Sequence, residues 1–438
     1  MKLPESGTPR EALLARMREL RGKDADWRGG RTFSLVYYAG DEVLDVIGDA
    51  YRMFLSENGL SPGAFPSLQR FEAEVLSMAA DLFHGATARG NLTSGGTESI
   101  LMAVKTARDH ARATRKLSGP AEMVLPISAH PAFEKAAHYL DVKVVHIPLR
   151  EDFRVDPELA RRAITENTVL VVGSAPAYPH GVIDPIPELA RAASERGVLM
   201  HVDACLGGYL LPFAEKLGHP VPPFDFRVPG VTSISADLHK YAYAAKGAST
   251  VLYRDEALRR FQYFTYSDWP GGLYGSPTMT GTRPGGAIAA AWAVMNHLGQ
   301  EGYLRLAKGV LATTKKLIEG VAAIPGLRIL GSPDLTIFAF SSDTLNVYLL
   351  ADEMTRLGWH MDRQQRPPSL HLMITPAHAA VADRFLADLA ASVERLGKGE
   401  VADDGTAALY GMMGTVPDRS RVGDFILQFM ENLDRVPS

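Results

Sequence analysis

The central part of the chain alternates between short, strongly apolar segments and segments with helical periodicity. Six apolar segments have the length of buried strands, at residues 123–127, 142–147, 169–173, 198–202, 231–235 and 250–253. Helical patterns lie between several of them, at 133–139, 157–164 and 186–196. Parallel strands require crossover connections, and strands covered on both faces show no polar alternation. The pattern therefore predicts an α/β fold whose sheet is mostly parallel, with helices on both faces.

Different patterns flank this central part. On its N-terminal side, helical periodicity is present at 11–20, 41–56 and 67–83, and a polar turn at 90–99 precedes a helix at 100–115. After residue 286 a long helical region, 287–323, is followed by strands at 327–330, 335–340 and 370–374 and helices at 345–357 and 377–396. We therefore expect an N-terminal segment (1–60), a large domain (61–286) and a smaller α+β C-terminal domain (287–438).

Composition excludes several classes of protein. The chain has 438 residues, 46% hydrophobic and 22% charged, which is typical of a protein with a large buried core. A net charge of -4 gives no reason to expect nucleic acid or an anionic membrane as a partner. Cys205 is the only cysteine, which excludes an intramolecular disulfide and favours a reducing compartment. With no signal-peptide core and no apolar run of membrane-spanning length, we expect a cytoplasmic protein without stable membrane insertion.

The segment 231–247 carries the first chemical signal. An apolar, β-branched run ends in small and polar residues, and then come His239, Lys240 and, six residues later, Lys246 among Ala and Gly. Small apolar neighbours would partly desolvate the amine of Lys240 and help to keep it neutral. A neutral lysine amine condenses with a carbonyl, most commonly as a Schiff base with pyridoxal phosphate. A solvated surface lysine is the alternative.

Three other features lie at or after predicted strand or turn ends, where open α/β sheets bind ligands. Ser94-Gly95-Gly96-Thr97 would bind an anion at a helix N-terminus, although a simple helix cap fits equally. His130 could stack on an aromatic cofactor or only cap the following helix. Asp203 closes an apolar strand, where a buried carboxylate needs a cation such as a protonated pyridine nitrogen, or else caps the next turn. The thirteen histidines show no metal-site spacing, so we expect no metal.

Longer motifs carry a family resemblance. They are Ser-Gly-Gly-Thr-Glu-Ser-Ile-Leu-Met-Ala at 94–103, Pro-His-Gly-Val-Ile-Asp-Pro at 179–185, His-Val-Asp-Ala-Cys-Leu-Gly-Gly at 201–208, the segment 235–247, and Gly-Thr-Arg-Pro-Gly-Gly at 281–286. Together they resemble the group II PLP-dependent decarboxylase family, above all its sphingosine-1-phosphate lyase branch. The resemblance covers more than half of the chain. It implies the PLP-dependent transferase fold of type I, with a mostly parallel, seven-stranded sheet, and a homodimer with its sites at the subunit interface.

The resemblance also implies roles for individual residues. Lys240 would form the Schiff base with pyridoxal phosphate, Asp203 would hold the pyridine nitrogen and His130 would stack on the ring. The cofactor phosphate would be bound by Ser94, Gly95, Gly96 and Thr97 with His239 nearby, and by Gly281 and Thr282 of the partner subunit. Lys246 and Tyr37 would contact the substrate phosphate or transfer protons. A solvated surface position is the alternative for Lys246.

The activity implied is carbon–carbon cleavage of a phosphorylated sphingoid long-chain base into a long-chain aldehyde and ethanolamine phosphate. Two positions depart from the branch: Ser61 stands where a histidine near the substrate phosphate is usual, and Ala177-Tyr178 stands where Gln-Phe is usual. An amino-acid decarboxylase with the same cofactor residues is the main alternative. A catalytically silent scaffold is a second one, which the presence of Lys240, Asp203 and His130 disfavours.

Overall fold

The computed structural model describes residues 2–401, 405–416 and 418–433. Its largest sheet contains β1 (Arg89–Thr93), β2 (Glu122–Pro126), β3 (Lys143–Ile147), β4 (Thr168–Ser174), β5 (Leu199–Asp203), β6 (Ser233–Ala236) and β7 (Ser249–Tyr253). Their spatial order is β1-β7-β6-β5-β4-β2-β3. The neighbours from β3 to β6 pair in parallel, whereas β7 is antiparallel to both β1 and β6. The predicted mostly parallel, seven-stranded fold is confirmed.

Helices cover both faces of this sheet. They include α3 (Pro66–Leu82), α4 (Gly96–Thr114), α5 (Ala132–Leu140), α6 (Pro157–Ala163), α7 (Ile186–Glu195) and α8 (Leu211–Lys216). Successive residues of β2 belong to different apolar clusters: Met123 and Leu125 pack with α4 and α5, while Val124 packs in the larger core on the other face. Because alternate side chains of a strand point to opposite faces, a strand buried on both faces reads as a continuous apolar run.

A long helix connects the two parts of the molecule. The N-terminal helices are α1 (Arg10–Arg21) and α2 (Asp41–Met53). The long helix is α10 (Gly285–Ala322). It follows the short helix α9 (Glu256–Arg259) and a hairpin made of β8 (Phe264–Tyr266) and β9 (Tyr274–Ser276). The sequence predicts one helix at 287–323, but Gly299 has φ 53° and ψ -174°, which interrupts the helical backbone. Glycine enters this conformation without a steric penalty, so α10 bends there.

The C-terminal part is a smaller antiparallel sheet with helices. Its strands β10 (Arg328–Ile329), β11 (Ile337–Ser341), β12 (Asp362–Gln365) and β13 (Pro368–Met373) lie in the order β10-β11-β13-β12. The helices are α11 (Val347–Arg356), α12 (Ala382–Gly397), α13 (Ala407–Thr415) and α14 (Arg419–Leu433). The α+β character is as predicted. The three domain boundaries stay a prediction, and residues 402–404, 417 and 434–438 of the third region lie outside the described residues.

Four strands are absent from the sequence-based prediction: β1, the two hairpin strands β8 and β9, and β12. β1 has the sequence Arg-Gly-Asn-Leu-Thr, and β12 has Asp-Arg-Gln-Gln, so neither shows an apolar run. Gly90 fits β1 because a Cβ atom there would lie 2.2 Å from the carbonyl oxygen of Val251 on the neighbouring strand. The sequence predicts a polar turn at 90–99, and only the pairing with β7 shows that residues 89–93 form an edge strand. Among the residues described, no helix has the length and apolarity needed to cross a membrane.

Phe33 attaches the N-terminal segment to the small sheet and its helices. Its ring is fully buried, stacks on His378 at a centroid distance of 4.4 Å and lies 4.6 Å from the ring of Phe385. The backbone of the same residue pairs with His360 and Met373. This packing holds the residues just after Phe33, which include Ser34 and Tyr37, in a fixed place.

We expect Phe33→Ala to lower the free energy of unfolding by about 3–5 kcal/mol, because it leaves a cavity among buried aromatic rings. Chemical denaturation followed by circular dichroism would measure the change. Tyr139→Ala removes a ring that is 59% exposed and should change stability by less than about 0.5 kcal/mol. Equal effects of the two substitutions would contradict the assignment of Phe33 as a packing anchor.

Candidate active site at the carboxyl ends of the central strands

The carboxyl ends of β4, β5 and β6 form the floor of the candidate site. Ser174 pairs with Asp203 across β4 and β5, and Asp203 pairs with Ser235 across β5 and β6. The turn after β6 carries Asp237, His239 and Lys240. Parallel strands end at the same edge of a sheet, so side chains that are distant in sequence meet here.

Two cavities open beside Lys240. The tyrosine cavity, about 250 Å³, is lined by Ser34, Leu35, Tyr37, His130, Ser174, Pro176, Tyr178, Asp203, Cys205, Leu206, His239, Lys240, Lys246 and Met373. The glycine cavity, about 310 Å³, is lined by Ser94, Gly95, Gly96, Thr97, Glu98, Ile100, His130, Cys205, Asp237, His239 and Lys240. Lys240, His239 and His130 border both. The structure thus brings together most of the residues selected from the sequence.

The remaining selected residues lie elsewhere. Gly281 and Thr282 are in the loop before α10 and do not line either cavity of their own chain; Thr282 Oγ1 is 3.5 Å from Asn58 Nδ2. Their expected contribution across a subunit interface stays a prediction. Ser61, at the position where the resemblance implies a histidine, is exposed in the loop before α3 and lines neither cavity.

Asp237 is a charged residue of the site that our sequence analysis did not single out. Its carboxylate is buried and lies 2.9 Å from Lys240 Nζ and 3.6 Å from His239 Nε2. We expected small neighbours to favour a neutral Lys240. Burial is the largest single influence and lowers the pKa of Lys240, but Asp237, together with the neighbouring Cys205 and Asp203, raises that pKa overall. The expectation was wrong because it ignored the ion pair. The ion pair could have been predicted from the Asp-x-x-Lys spacing, which brings Asp237 and Lys240 together in one turn.

The glycine cavity has the features of an anion site. It lies at the N-terminus of α4, where the first backbone N–H groups have no partner within the helix. A Cβ atom on Gly96 would lie 2.7 Å from both carboxylate oxygens of Asp237 and 3.0 Å from Cys205 Sγ, so only glycine fits there. Gly95 has φ 152°, in the region that favours glycine. Asp237 Oδ1 and His239 Nδ1 are buried without a hydrogen-bond partner among the described residues.

Asp203 is a buried carboxylate at the end of β5, beside Lys240. Its Oδ1 atom accepts hydrogen bonds from the Cys205 N–H at 3.0 Å and, more weakly, from Ser235 Oγ at 3.5 Å. His201 lies behind it, with ring nitrogens 2.9 and 3.0 Å from the Ser233 and Ser235 hydroxyls. Burial lowers the pKa of His201 to about 4, so this ring is neutral at neutral pH. Asp203 therefore keeps an acceptor oxygen for a cationic partner.

Tyr37 and Lys246 lie together on the wall of the tyrosine cavity. Lys246 Nζ donates a hydrogen bond to the Leu35 carbonyl at 2.7 Å and lies 5.2 Å from the centre of the Tyr37 ring. The side chain keeps solvent access, but partial burial of the amine and then the charge of Lys240 lower the pKa of Lys246 to about 8. Tyr37 Oη is 2.6 Å from Met373 Sδ, and burial raises the pKa of this phenol.

His130 completes the set of residues around Lys240. It begins the turn into α5, where its Nδ1 accepts a hydrogen bond from the Ala132 N–H at 3.2 Å. The ring thus has a fixed orientation between the two cavities. Other wall residues were not assigned to the site from the sequence: Ser34, Tyr178, Cys205, Leu206 and Met373. Cys205 and Leu206 belong to the motif at 201–208, whereas the contributions of Ser34 and Met373 depend on contacts between distant parts of the chain.

The donor set fits pyridoxal phosphate. The two cavities share lining residues, and three groups that suit this cofactor lie around them. They are an amine for its carbonyl group, a carboxylate for its ring nitrogen, and a helix N-terminus for its phosphate at which only glycine fits. These are the chemical requirements of this cofactor.

Comparisons with known proteins agree with this geometry. Residues 25–342 match the family model described as pyridoxal-dependent decarboxylase conserved domain. The chain is 45% identical to the sphingosine-1-phosphate lyase of Arabidopsis thaliana, over 98% of this chain and 80% of that protein. It is 43% identical to sphingosine-1-phosphate lyase 1 of Rattus norvegicus, over 98% of this chain and 76% of that protein.

Solved structures give the same result. The sphingosine-1-phosphate lyase of Burkholderia pseudomallei superposes with a TM-score of 0.91 at 41% identity, covering 100% of this chain and 98% of that one. The family match covers well over half of the chain, and the relatives share far more than 30% of its residues. The chain therefore belongs to the pyridoxal-dependent decarboxylase family, within its group of sphingosine-1-phosphate lyases, and pyridoxal phosphate is its cofactor.

Proposed function

We propose that the protein is a carbon–carbon lyase that cleaves phosphorylated sphingoid long-chain bases into a long-chain aldehyde and ethanolamine phosphate. The observation that carries this proposal is the tyrosine cavity, where a second lysine, Lys246, lies with Tyr37 beside the cofactor lysine Lys240. An amine with a pKa of about 8 suits a phosphate ligand. The named activity of the relatives supports the same substrate class.

The cofactor would be held by residues of both cavities. Lys240 would bind it covalently, Asp203 would keep its ring nitrogen protonated, and His130 would stack on its ring. Ser94, Gly95, Gly96 and Thr97, with His239 nearby, would bind the phosphate. When bound, the cofactor supplies an electron sink for the pair left on carbon 2 of the substrate when the C2–C3 bond breaks.

The chain's own side chains would manage the proton and the substrate phosphate. Burial raises the pKa of Tyr37, so its phenol keeps its proton and donates a hydrogen bond. Lys246 in its ammonium form would bind the substrate phosphate, and its neutral form could instead accept the proton of the C3 hydroxyl. We assign Lys246 to the phosphate, because partial solvent access allows a polar headgroup to reach it. The proton of the C3 hydroxyl would then pass to the amine of Lys240, which is free once the substrate amine has taken its place on the cofactor.

We further propose a homodimer whose partner subunit supplies Gly281 and Thr282 to the phosphate site. The hairpin of β8 and β9, close to these residues in the chain, exposes large apolar side chains: Phe264 (56%), Trp269 (53%) and Leu273 (88%). A second copy of the chain would cover them. The cytoplasmic location expected from the sequence stays a prediction.

The direct experiment mixes the enzyme, loaded with pyridoxal phosphate, with dihydrosphingosine 1-phosphate and analyses the products by mass spectrometry. We expect a long-chain aldehyde and ethanolamine phosphate in equal amounts. Intact substrate beside a spectrally normal cofactor would contradict the lyase proposal and favour an amino-acid decarboxylase, and a screen of amino acids for released carbon dioxide would follow.

Lys240→Ala should abolish the visible absorbance of the covalently bound cofactor and reduce turnover by about 1000-fold or more, because the cofactor loses its anchor. Lys246→Ala is the matched control on the same cavity and should keep the absorbance. If Lys240→Ala keeps the yellow colour and Lys246→Ala loses it, the cofactor is attached to Lys246 instead.

The pH dependence separates the two roles of Lys246. Its ammonium form is populated below a pKa of about 8, so phosphate binding should be strong below that pH and weaken as the pH rises through it. We expect the KM for the phosphorylated substrate to rise above pH 8 in the wild type. Lys246→Met should raise KM by about 10–100-fold at low pH and remove the pH dependence. Lys246→Arg, which keeps its charge, should shift the rise to higher pH. A kcat that instead increases through pH 8 at constant KM would assign Lys246 as the base.

A further inference from the structure

A polar cluster lies behind the wall of the tyrosine cavity. Tyr178 and Ser34 line the cavity, and both direct their hydroxyl groups at Asp362 on β12. Tyr178 Oη donates to Asp362 Oδ2 at 2.6 Å, and Ser34 Oγ donates to Oδ1 at 3.1 Å. Asp362 itself does not line the cavity. The Asp362 carboxylate of the small sheet thus accepts one hydrogen bond from Ser34, in the N-terminal segment, and one from Tyr178, in the loop after β4.

His371, on β13, fixes the tyrosine in this orientation. Its ring stacks on that of Tyr178 at 4.3 Å, and its Nε2 atom is 2.9 Å from the Tyr178 carbonyl oxygen, to which it donates. Burial lowers the pKa of His371 to about 4, so the ring is neutral and its proton is on Nε2. His371 therefore brings no positive charge to Asp362, although its Nδ1 atom is 3.9 Å from Oδ2.

The cluster leaves the cavity wall with hydrogen-bond acceptors. Each hydroxyl has one proton, and both protons are used on Asp362, so the oxygens of Tyr178 and Ser34 can only accept further hydrogen bonds. Burial and then the Asp362 carboxylate raise the pKa of Tyr178, which keeps the phenol protonated. Among the described residues, Asp362 has no Lys or Arg nitrogen within 4.0 Å. This wall therefore favours hydrogen-bond donors and disfavours anions.

We propose that Asp362 determines substrate specificity from behind the wall: it turns Tyr178 and Ser34 into an acceptor surface that selects the C3 hydroxyl of the substrate and excludes its phosphate. The inference rests on the proposed function, in which the C2–C3 bond breaks beside Lys240, so that the C3 hydroxyl lies in this cavity of about 250 Å³. The phosphate is then left to the cationic wall at Lys246. Asp362 is a positioning residue, since it acts through the two hydroxyls.

The test compares binding of dihydrosphingosine 1-phosphate with its 3-deoxy analogue, which lacks the selected hydroxyl. Rapid-mixing titration of the cofactor absorbance gives an apparent Kd for each amine before turnover. In the wild type we expect the 3-hydroxy compound to bind at least about 5-fold more tightly. In Asp362→Ala this ratio should fall towards one, because Tyr178 and Ser34 lose the carboxylate that orients their hydroxyl groups and keeps their oxygens available as acceptors. An unchanged ratio in Asp362→Ala would overturn the proposal.

A matched control and a double mutant distinguish specificity from stability. Asp343→Asn removes a carboxylate from the same part of the chain but outside the cavity, at an exposed pair with Arg328, and should keep the wild-type ratio. Tyr178→Phe should lower the ratio, and adding Asp362→Ala should lower it little further, since the two residues act as a unit. Additive effects, or equal losses of affinity for both compounds, would indicate a structural role only and overturn the proposal.

Two outcomes keep this inference separate from the proposed function. If Asp362→Ala does not fold by circular dichroism, the isosteric Asp362→Asn replaces it; its amide can accept one hydroxyl but not both, and an unchanged ratio there also overturns the inference. If the wild-type enzyme cleaves its substrate but binds the 3-hydroxy and 3-deoxy compounds equally well, only the role of Asp362 is contradicted. A wild type that binds both compounds but releases no aldehyde contradicts the lyase, while the binding ratio still tests Asp362.

Discussion

The ion pair between Asp237 and Lys240 constrains the rest of the site. A buried carboxylate is tolerated only with a charged or hydrogen-bonding partner, and here the partner is the amine that the chemistry requires. The pair fixes the amine at the carboxyl end of β6, and it requires glycine at position 96, because a Cβ atom there would collide with the carboxylate. The same 2.9 Å contact therefore determines both where the cofactor lysine lies and how closely α4 approaches it.

The sheet places the remaining cofactor residues around this pair. Asp203 ends the strand next to β6, and His130 follows β2, two strands further along the sheet. Other residues of the tyrosine cavity come from elsewhere in the chain: Tyr37 from the N-terminal segment, Lys246 from the loop after Lys240, and Met373 from the small sheet.

This division explains what could be predicted from the sequence. Buried parallel strands appear as continuous apolar runs, so the fold class and the positions of Lys240, Asp203 and His130 at strand ends were predictable. The edge strand β1 was not, since Arg-Gly-Asn-Leu-Thr has no such run and its pairing with β7 is a tertiary property. The charge state of Lys240 was predicted wrongly, because composition near a residue says little about a single ion pair. The catalytic roles of these residues stay predictions.

Substrate selection depends on the least predictable contacts. Ser34, Tyr178 and Asp362 are separated by more than 140 residues at each step. Ser34 reaches Asp362 because Phe33 and its aromatic neighbours hold the N-terminal segment on the small sheet, and Tyr178 reaches it from the loop after β4. The residues around the cofactor site are compatible with several reactions, each of which leaves an electron pair on the carbon atom next to the substrate amine. The walls at Lys246 and at Tyr178 have opposite electrostatic character, one cationic and one rich in acceptors. A substrate that carries a phosphate and a hydroxyl on either side of its amine satisfies both walls, whereas an amino acid without a hydroxyl group offers no hydrogen-bond donor to the oxygens of Tyr178 and Ser34.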